Sequence, residues 1–181
     1  PEIVATTSQV QPGSTVTPAE GSHFFSFHGV ATPGLSAEMS QSGDDAGAAA
    51  GYRLVLTGQI QTLSEMPSDF AEIVLEAVDL IGVPVASVTE SPVVSPGAAW
   101  EGFALSLEVP EGSRGWRVRI VGHRAGGDAS INVFVDDLSL SLVPGGHPFS
   151  LPASLAYRED FVGESSFPTT PEVDPFSFGA I

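Results

Sequence analysis

Three pairs of neighbouring acids are the residues in this chain best suited to inorganic chemistry: Asp44-Asp45, Asp136-Asp137 and Glu159-Asp160. Carboxylates are hard oxygen donors, and a calcium ion collects about six to eight oxygens, so a site would need two such pairs brought together. A second kind of chemistry needs an aromatic face with hydrogen-bond donors beside it, as a sugar platform does. Trp100, in Pro96-Gly-Ala-Ala-Trp-Glu-Gly, is the candidate platform, and Arg117, Arg119 and Arg124 are candidate donors from one sheet face. The competing reading is that Trp100 folds over the rim of the core. Tyr52 and Trp116 lie in alternating apolar stretches and read as core.

Catalytic constellations are poorly represented. The four histidines (23, 28, 123 and 147) lack metal-ligand spacing. His23 and His28 are five apart, which on a strand puts them on opposite faces. There is no Gly-x-Ser-x-Gly nucleophile elbow. Acids abound, but no motif marks a pair for glycoside hydrolysis. The expectation is a non-enzymatic protein.

The elements that must position these residues read as strands. The 20 glycines and 15 prolines punctuate short apolar runs about every ten residues, the rhythm of an all-β sandwich or barrel. Residues 1–10 read as a first strand, followed by a turn at Gln11-Pro12-Gly13-Ser14. Phe24, Phe25 and Phe27 mark another strand, and 35–41 alternates weakly. Tyr52, Leu54 and Leu56 share one face, as do Phe103, Leu105, Leu107 and Val109. Trp116, Val118 and Ile120 alternate with Arg117 and Arg119. The stretch 68–81 is ambiguous: Phe70, Ile73, Val74, Ala77, Val78 and Ile81 fit helical spacing, and Asp69 with Glu72 would cap such a helix. The β-branched Ile73, Val74 and Val78, with Gly82 ahead of Pro84, favour two strands and a turn at 79–82.

Ile131, Val133 and Val135 alternate, and then Leu138, Leu140 and Leu142 continue one residue out of step. A slip of one would turn every side chain to the other face, so a bulge or kink is expected at Asp136-Asp137. Beyond Val143 the pattern breaks at Pro144-Gly-Gly-His-Pro148. Residues 1–143 are therefore read as one sandwich domain and 144–181 as an extended arm. The arm carries Phe149, Phe161, Phe167, Phe176 and Phe178, the candidate interface residues.

A chain of 181 residues can bury a substantial core without staples, and it has no cysteine to make them. Its 22 acids and six bases, all arginine, give a formal charge of −16. Such a surface repels phosphate backbones, so nucleic acid is excluded as a partner. Acidity of this kind serves solubility or divalent-cation binding. No apolar run of ~18 residues could span a membrane. The start, Pro1-Glu-Ile-Val, shows no signal-peptide pattern, and Pro1 fits either methionine trimming or cleavage of a leader.

Three segments resemble bacterial jelly-roll carbohydrate-binding modules. Thr17-Pro-Ala-Glu-Gly-Ser-His-Phe-Phe resembles their T-P-x-D-G-x-Y-F strand, Ala50-Gly51-Tyr52-Arg-Leu their A-G-x-Y-x-L strand start, and Val133-Phe-Val-Asp-Asp-Leu-Ser-Leu their closing x-I-D-D-V-x-L strand. Together they cover roughly residues 15–143. The resemblance implies an antiparallel jelly-roll β-sandwich. The same sandwich serves surface-anchored, adhesive and viral coat proteins, so it does not fix function. The family's opening Asn-Gly-x-Phe-Glu strand, with its following tryptophan, is missing at the start. Tyr157-Arg-Glu-Asp-Phe-Val-Gly163 resembles it, so residues 155–163 are expected to supply that strand, in the same chain or to a neighbour.

In the family, an acid from the opening strand and one from the closing strand help hold a structural calcium. The resemblance thus implies a calcium at Asp136, Asp137, Glu159 and Asp160. The function expected is a structural or adhesive surface module of the virion-decoration or surface-layer kind, joined to neighbouring subunits in a homo-oligomer or larger assembly through its arm. The alternative is a carbohydrate-binding module of a secreted or surface protein, taking a glycan at Trp100, Arg117 and Arg119. Either places it on a virion or extracellular surface.

Overall fold

The computed structural model describes residues 2–11, 14–28, 36–44, 50–63, 69–95, 99–125, 131–145 and 159–160. Twelve strands are seen there: β1 (Glu2–Thr6), β2 (Gln9–Gln11), β3 (Ser14–Val16), β4 (Phe24–His28), β5 (Ser36–Gly43), β6 (Tyr52–Thr62), β7 (Phe70–Val78), β8 (Pro84–Val93), β9 (Glu101–Glu108), β10 (Gly115–His123), β11 (Val133–Pro144) and β12 (Glu159–Asp160). The first sheet runs β1-β4-β11-β6-β9, with β12 also on β11, and the second runs β5-β10-β7-β8. All pairings in them are antiparallel. The chain is an all-β jelly-roll sandwich.

Register explains why these residues form these layers. In the first sheet Leu140 lies beside Leu56 and Leu56 beside Leu105, and Leu142, Leu54 and Leu107 make the next row. The second sheet answers with Ile120 beside Ile73 and Met39, and Val118 beside Leu75. These side chains fill one apolar core between the sheets. Burying each aliphatic there contributes roughly 1.5–3 kcal/mol. Trp116 is wholly buried and lies opposite Gly43, where a Cβ would stand 2.5 Å from the indole ring.

The stretch over 69–81 is not a helix. β7 is an inner strand, flanked by β10 and β8, and its residues 73–78 are buried on both faces. A strand with two buried faces reads as a continuous apolar run, which mimics helical spacing. The turn after it is built by Asp79, whose carboxylate accepts from the amides of Ile81 and Val83, with Gly82 at φ 80°. The single strand read over residues 1–10 is instead β1 and β2. β1 joins the first sheet, whereas among the described residues β2 pairs with β3 alone.

The β11 register shifts between Asp136 and Ser139, as the change of apolar parity predicts. Asp137 sits there at φ 48°, a left-handed conformation that few residues other than glycine adopt. The extra residue returns Leu138 to the inner face. Opposite it, Gly58 leaves the room: a Cβ there would lie 2.7 Å from both Leu138 Cδ2 and Phe103 Cζ.

Candidate functional site

The kink in β11 places Asp136 at the outer face of the first sheet, nearly buried. Its Oδ2 accepts from the amides of Ala19 (2.7 Å) and Glu20 (3.1 Å), and its Oδ1 from the amide of Asp137 (2.8 Å). Charge-assisted bonds of this kind are the strong ones, and they tie the 17–23 loop to the closing strand. Of the four candidate calcium ligands, Asp136 is the one whose carboxylate is held in this clamp. Three amides already point at the two oxygens of Asp136, and calcium wants several oxygens turned toward one point. Among the described residues no three of His, Asp and Glu gather as a possible metal set. Glu159 and Asp160 lie on β12, opposite Leu140 and Ser139, with side chains outside what is described. Asp44 ends the β5 segment in an exposed position, and Asp45 is outside the described residues.

The arginines of β10 lie on the outer face of the second sheet. Arg117 Nε and Arg119 Nε stand 2.5 Å and 3.7 Å from Glu76 Oε2, and Arg119 also reaches Glu38 at 3.2 Å. Glu76, on β7, is buried beneath the two guanidinium groups. The parity that puts both arginines on one face was legible in sequence. Their acid partners were not, because cross-strand register sets which residue faces which. Arg124, just past β10, is buried, so it does not join the exposed row.

Trp100 is half-buried. Its indole N–H donates to the carbonyl of Thr17 at 2.9 Å, and its ring meets Phe24 edge-on at 5.8 Å. With Val16, Phe24, Leu63 and Phe134 it forms a second, smaller apolar cluster on the outer face of the first sheet. The indole therefore covers a core rim, with part of its surface left to solvent. The sequence signal was the loop composition, which does not distinguish the two.

Asp69 has a role that its reading as a helix cap missed. Fully buried, it accepts from the amides of Ala125 (2.8 Å) and Asn132 (2.7 Å), pinning the two ends of the β10–β11 connection. Nearby, His123 stacks on Phe70 at 4.7 Å. A shallow hollow at the opposite end is lined by Asp44, Asp79, Leu80 and Arg114 and brings together no nucleophile and base. The candidate interface residues Phe149, Phe161, Phe167, Phe176 and Phe178 lie outside the described residues, as does the stretch 155–163 apart from β12.

No protein-family model matches the sequence, and no curated protein matches it. Solved structures do resemble it. Tailspike protein 4 of bacteriophage CBA120, in its enzymatically active domain, superposes over 78% of this chain with a TM-score of 0.54 and 16% identity. The chain spans about a fifth (19%) of that tailspike chain. The carbohydrate-binding module TmCBM61, solved with β-1,4-galactotriose, matches 77% of this chain and 81% of its own, with a TM-score of 0.47 and 18% identity. The Gx strain of infectious bursal disease virus matches 78% of this chain and 37% of its own, with a TM-score of 0.47 and 12% identity. At such identities the likeness is one of fold, and the tailspike superposition carries it.

Proposed function

We propose that the chain is a non-enzymatic structural module of a virion or extracellular surface, joined to neighbouring subunits through its C-terminal arm. The observation behind this reading is the pairing of Glu159–Asp160 with Leu140 and Ser139 on β11. β4 pairs with the same edge of β11 at Phe134 and Val135, and among the described residues β12 takes a part of that edge that no other strand pairs with. Open edges are a hazard that strand addition relieves. The stretch between Gly145 and Glu159 can extend about 45 Å, enough to make the same pairing on a neighbour. Exchange of an identical element between copies needs few new contacts.

A glycan-binding module is the other reading. It has less support, because Trp100 is committed to Thr17 and Phe24, and Arg117 and Arg119 to Glu76 and Glu38. The fold likeness to a tailspike fits a surface role but does not choose between the two. Light scattering on the full chain and on a chain ending at Ser154, over a range of concentrations, tests the arm as the assembling element.

A further inference from the structure

The outer face of the first sheet has two halves. The half toward β4 is roofed by the small cluster of Val16, Phe24, Leu63, Phe134 and Trp100. The other half is a floor of small side chains in register. Ser139, Thr57 and Ala104 make one row across β11, β6 and β9, and Ser141, Val55 and Ser106 make the next. Their inward neighbours are mostly leucines, so the two faces contrast: Leu-Ser-Leu-Ser-Leu on β11 and Phe-Ala-Leu-Ser-Leu on β9.

An outward floor of this kind should meet solvent, and it does not. Val55 and Ser139 are each 1% exposed, and Ser141 is 0% exposed. Thr57, Ala104 and Ser106 are half-buried. Val55 belongs to neither apolar cluster of the described residues. The Ser139 hydroxyl is buried there without a hydrogen-bond partner, which costs free energy unless a polar group from an occupant answers it.

The topology indicates what that occupant is. β12 runs antiparallel to β11, from Leu140 toward Ser139 and on to the kink. The edge position beyond is taken by β4 and by the loop clamped to Asp136. The edge of β11 ahead of Asp160 is thus shared with other elements. The inner face is filled by Leu138 and Leu140, and the floor lies on the remaining side.

We infer that this floor of Ser139, Ser141, Val55, Thr57, Ala104 and Ser106 is the acceptor for the chain's own C-terminal segment, residues 161–181, seated by its phenylalanines. Small residues in the floor make room for large ones in the segment, as interdigitated layers require. A segment of low helical and strand periodicity, with Phe167, Phe176 and Phe178 among prolines, is suited to lie extended over a sheet. The inference rests on the arm being the assembling element and names the surface that receives it, in the isolated chain and, on exchange, in a neighbour.

The test uses the full chain in dilute solution. Ala104→Arg with Ser106→Arg raises the floor on β9 without touching the inner leucines. Chymotrypsin cleavage after Phe161, Phe176 and Phe178, mapped by mass spectrometry, should then quicken by about tenfold, because docked segments are cut only when they open. The near-ultraviolet signal of buried Trp116 should stay. Phe176→Ser with Phe178→Ser should quicken cleavage after Phe161 equally. Adding the floor changes to it should bring little further loss of melting temperature, since contacting sites are non-additive. Unchanged cleavage in the floor variant, or fully additive melting losses, would overturn the inference. So would protection that vanishes on dilution, which assigns the floor to another copy's segment. The solution mass of the protein does not enter these readouts, so failure here is separable from failure of the assembly reading.

Discussion

Asp136 accepts a hydrogen bond from the amide of Ala19 at 2.7 Å across 117 residues of sequence, and a second from Glu20 at 3.1 Å. The contact ties the 17–23 loop to the kink of the closing strand. Asp136→Ala leaves three amides without their acceptor and should cost about 3 kcal/mol, read from chemical denaturation. Since the carboxylate is held by amides, millimolar calcium and a chelator should give the same melting temperature. A calcium-dependent rise lost in Asp136→Asn would show instead that the acid pairs of β11 and β12 hold the ion.

Glu76 is buried under Arg117 and Arg119. Removing one member of a buried ionic group leaves the others uncompensated. Glu76→Gln should therefore lower stability by about 2 kcal/mol, because two guanidinium groups lose the anion between them. Arg119→Gln should cost less, as Arg119 is about a third exposed and its Glu38 contact is solvated. Equal losses for the two variants would argue that Glu76 is not the centre of the group.

Gly43 faces Trp116 with no space for a side chain, its Cβ position lying 2.5–2.7 Å from the indole. Gly43→Ala must push a rigid ring that has core on its other side. The expected loss is about 1–3 kcal/mol, with a changed near-ultraviolet tryptophan signal. A neutral substitution would mean that the end of β5 can move away from β10.

Trp100→Ala separates a core-rim tryptophan from a sugar platform. Loss of its packing on Phe24 and of its bond to the Thr17 carbonyl should destabilise the protein by about 2–3 kcal/mol. Glycan-array signals, if any are present, should be no weaker for the folded variant than for the parent. A selective loss of glycan binding at unchanged stability would favour the binding-module reading.

Much of this fold was legible because alternation is a local property. Leu54 and Leu56, Phe103 and Leu105, and the parity change at Asp136-Asp137 each name a strand, a face or a bulge from a few residues. The stretch over 69–81 was harder, since a strand buried on both faces loses its period of two. The site was less legible for a different reason. Partners such as Glu76 for Arg117, Ala19 for Asp136 and Asn132 for Asp69 are chosen by register and topology, which no short segment contains. The floor of small residues was written in the Leu-Ser-Leu-Ser-Leu alternation. It becomes a surface only once β11, β6 and β9 are known to be neighbours.

The most direct test of the account is the solution mass of the full chain and of a chain ending at Ser154, by light scattering as concentration is raised. An arm that pairs with β11 and can pass to a neighbour predicts that the full chain gains mass, whereas the shortened chain remains a monomer throughout. Two monomers at every concentration would contradict the account, leaving the arm to complete its own sandwich and the module without its means of assembly.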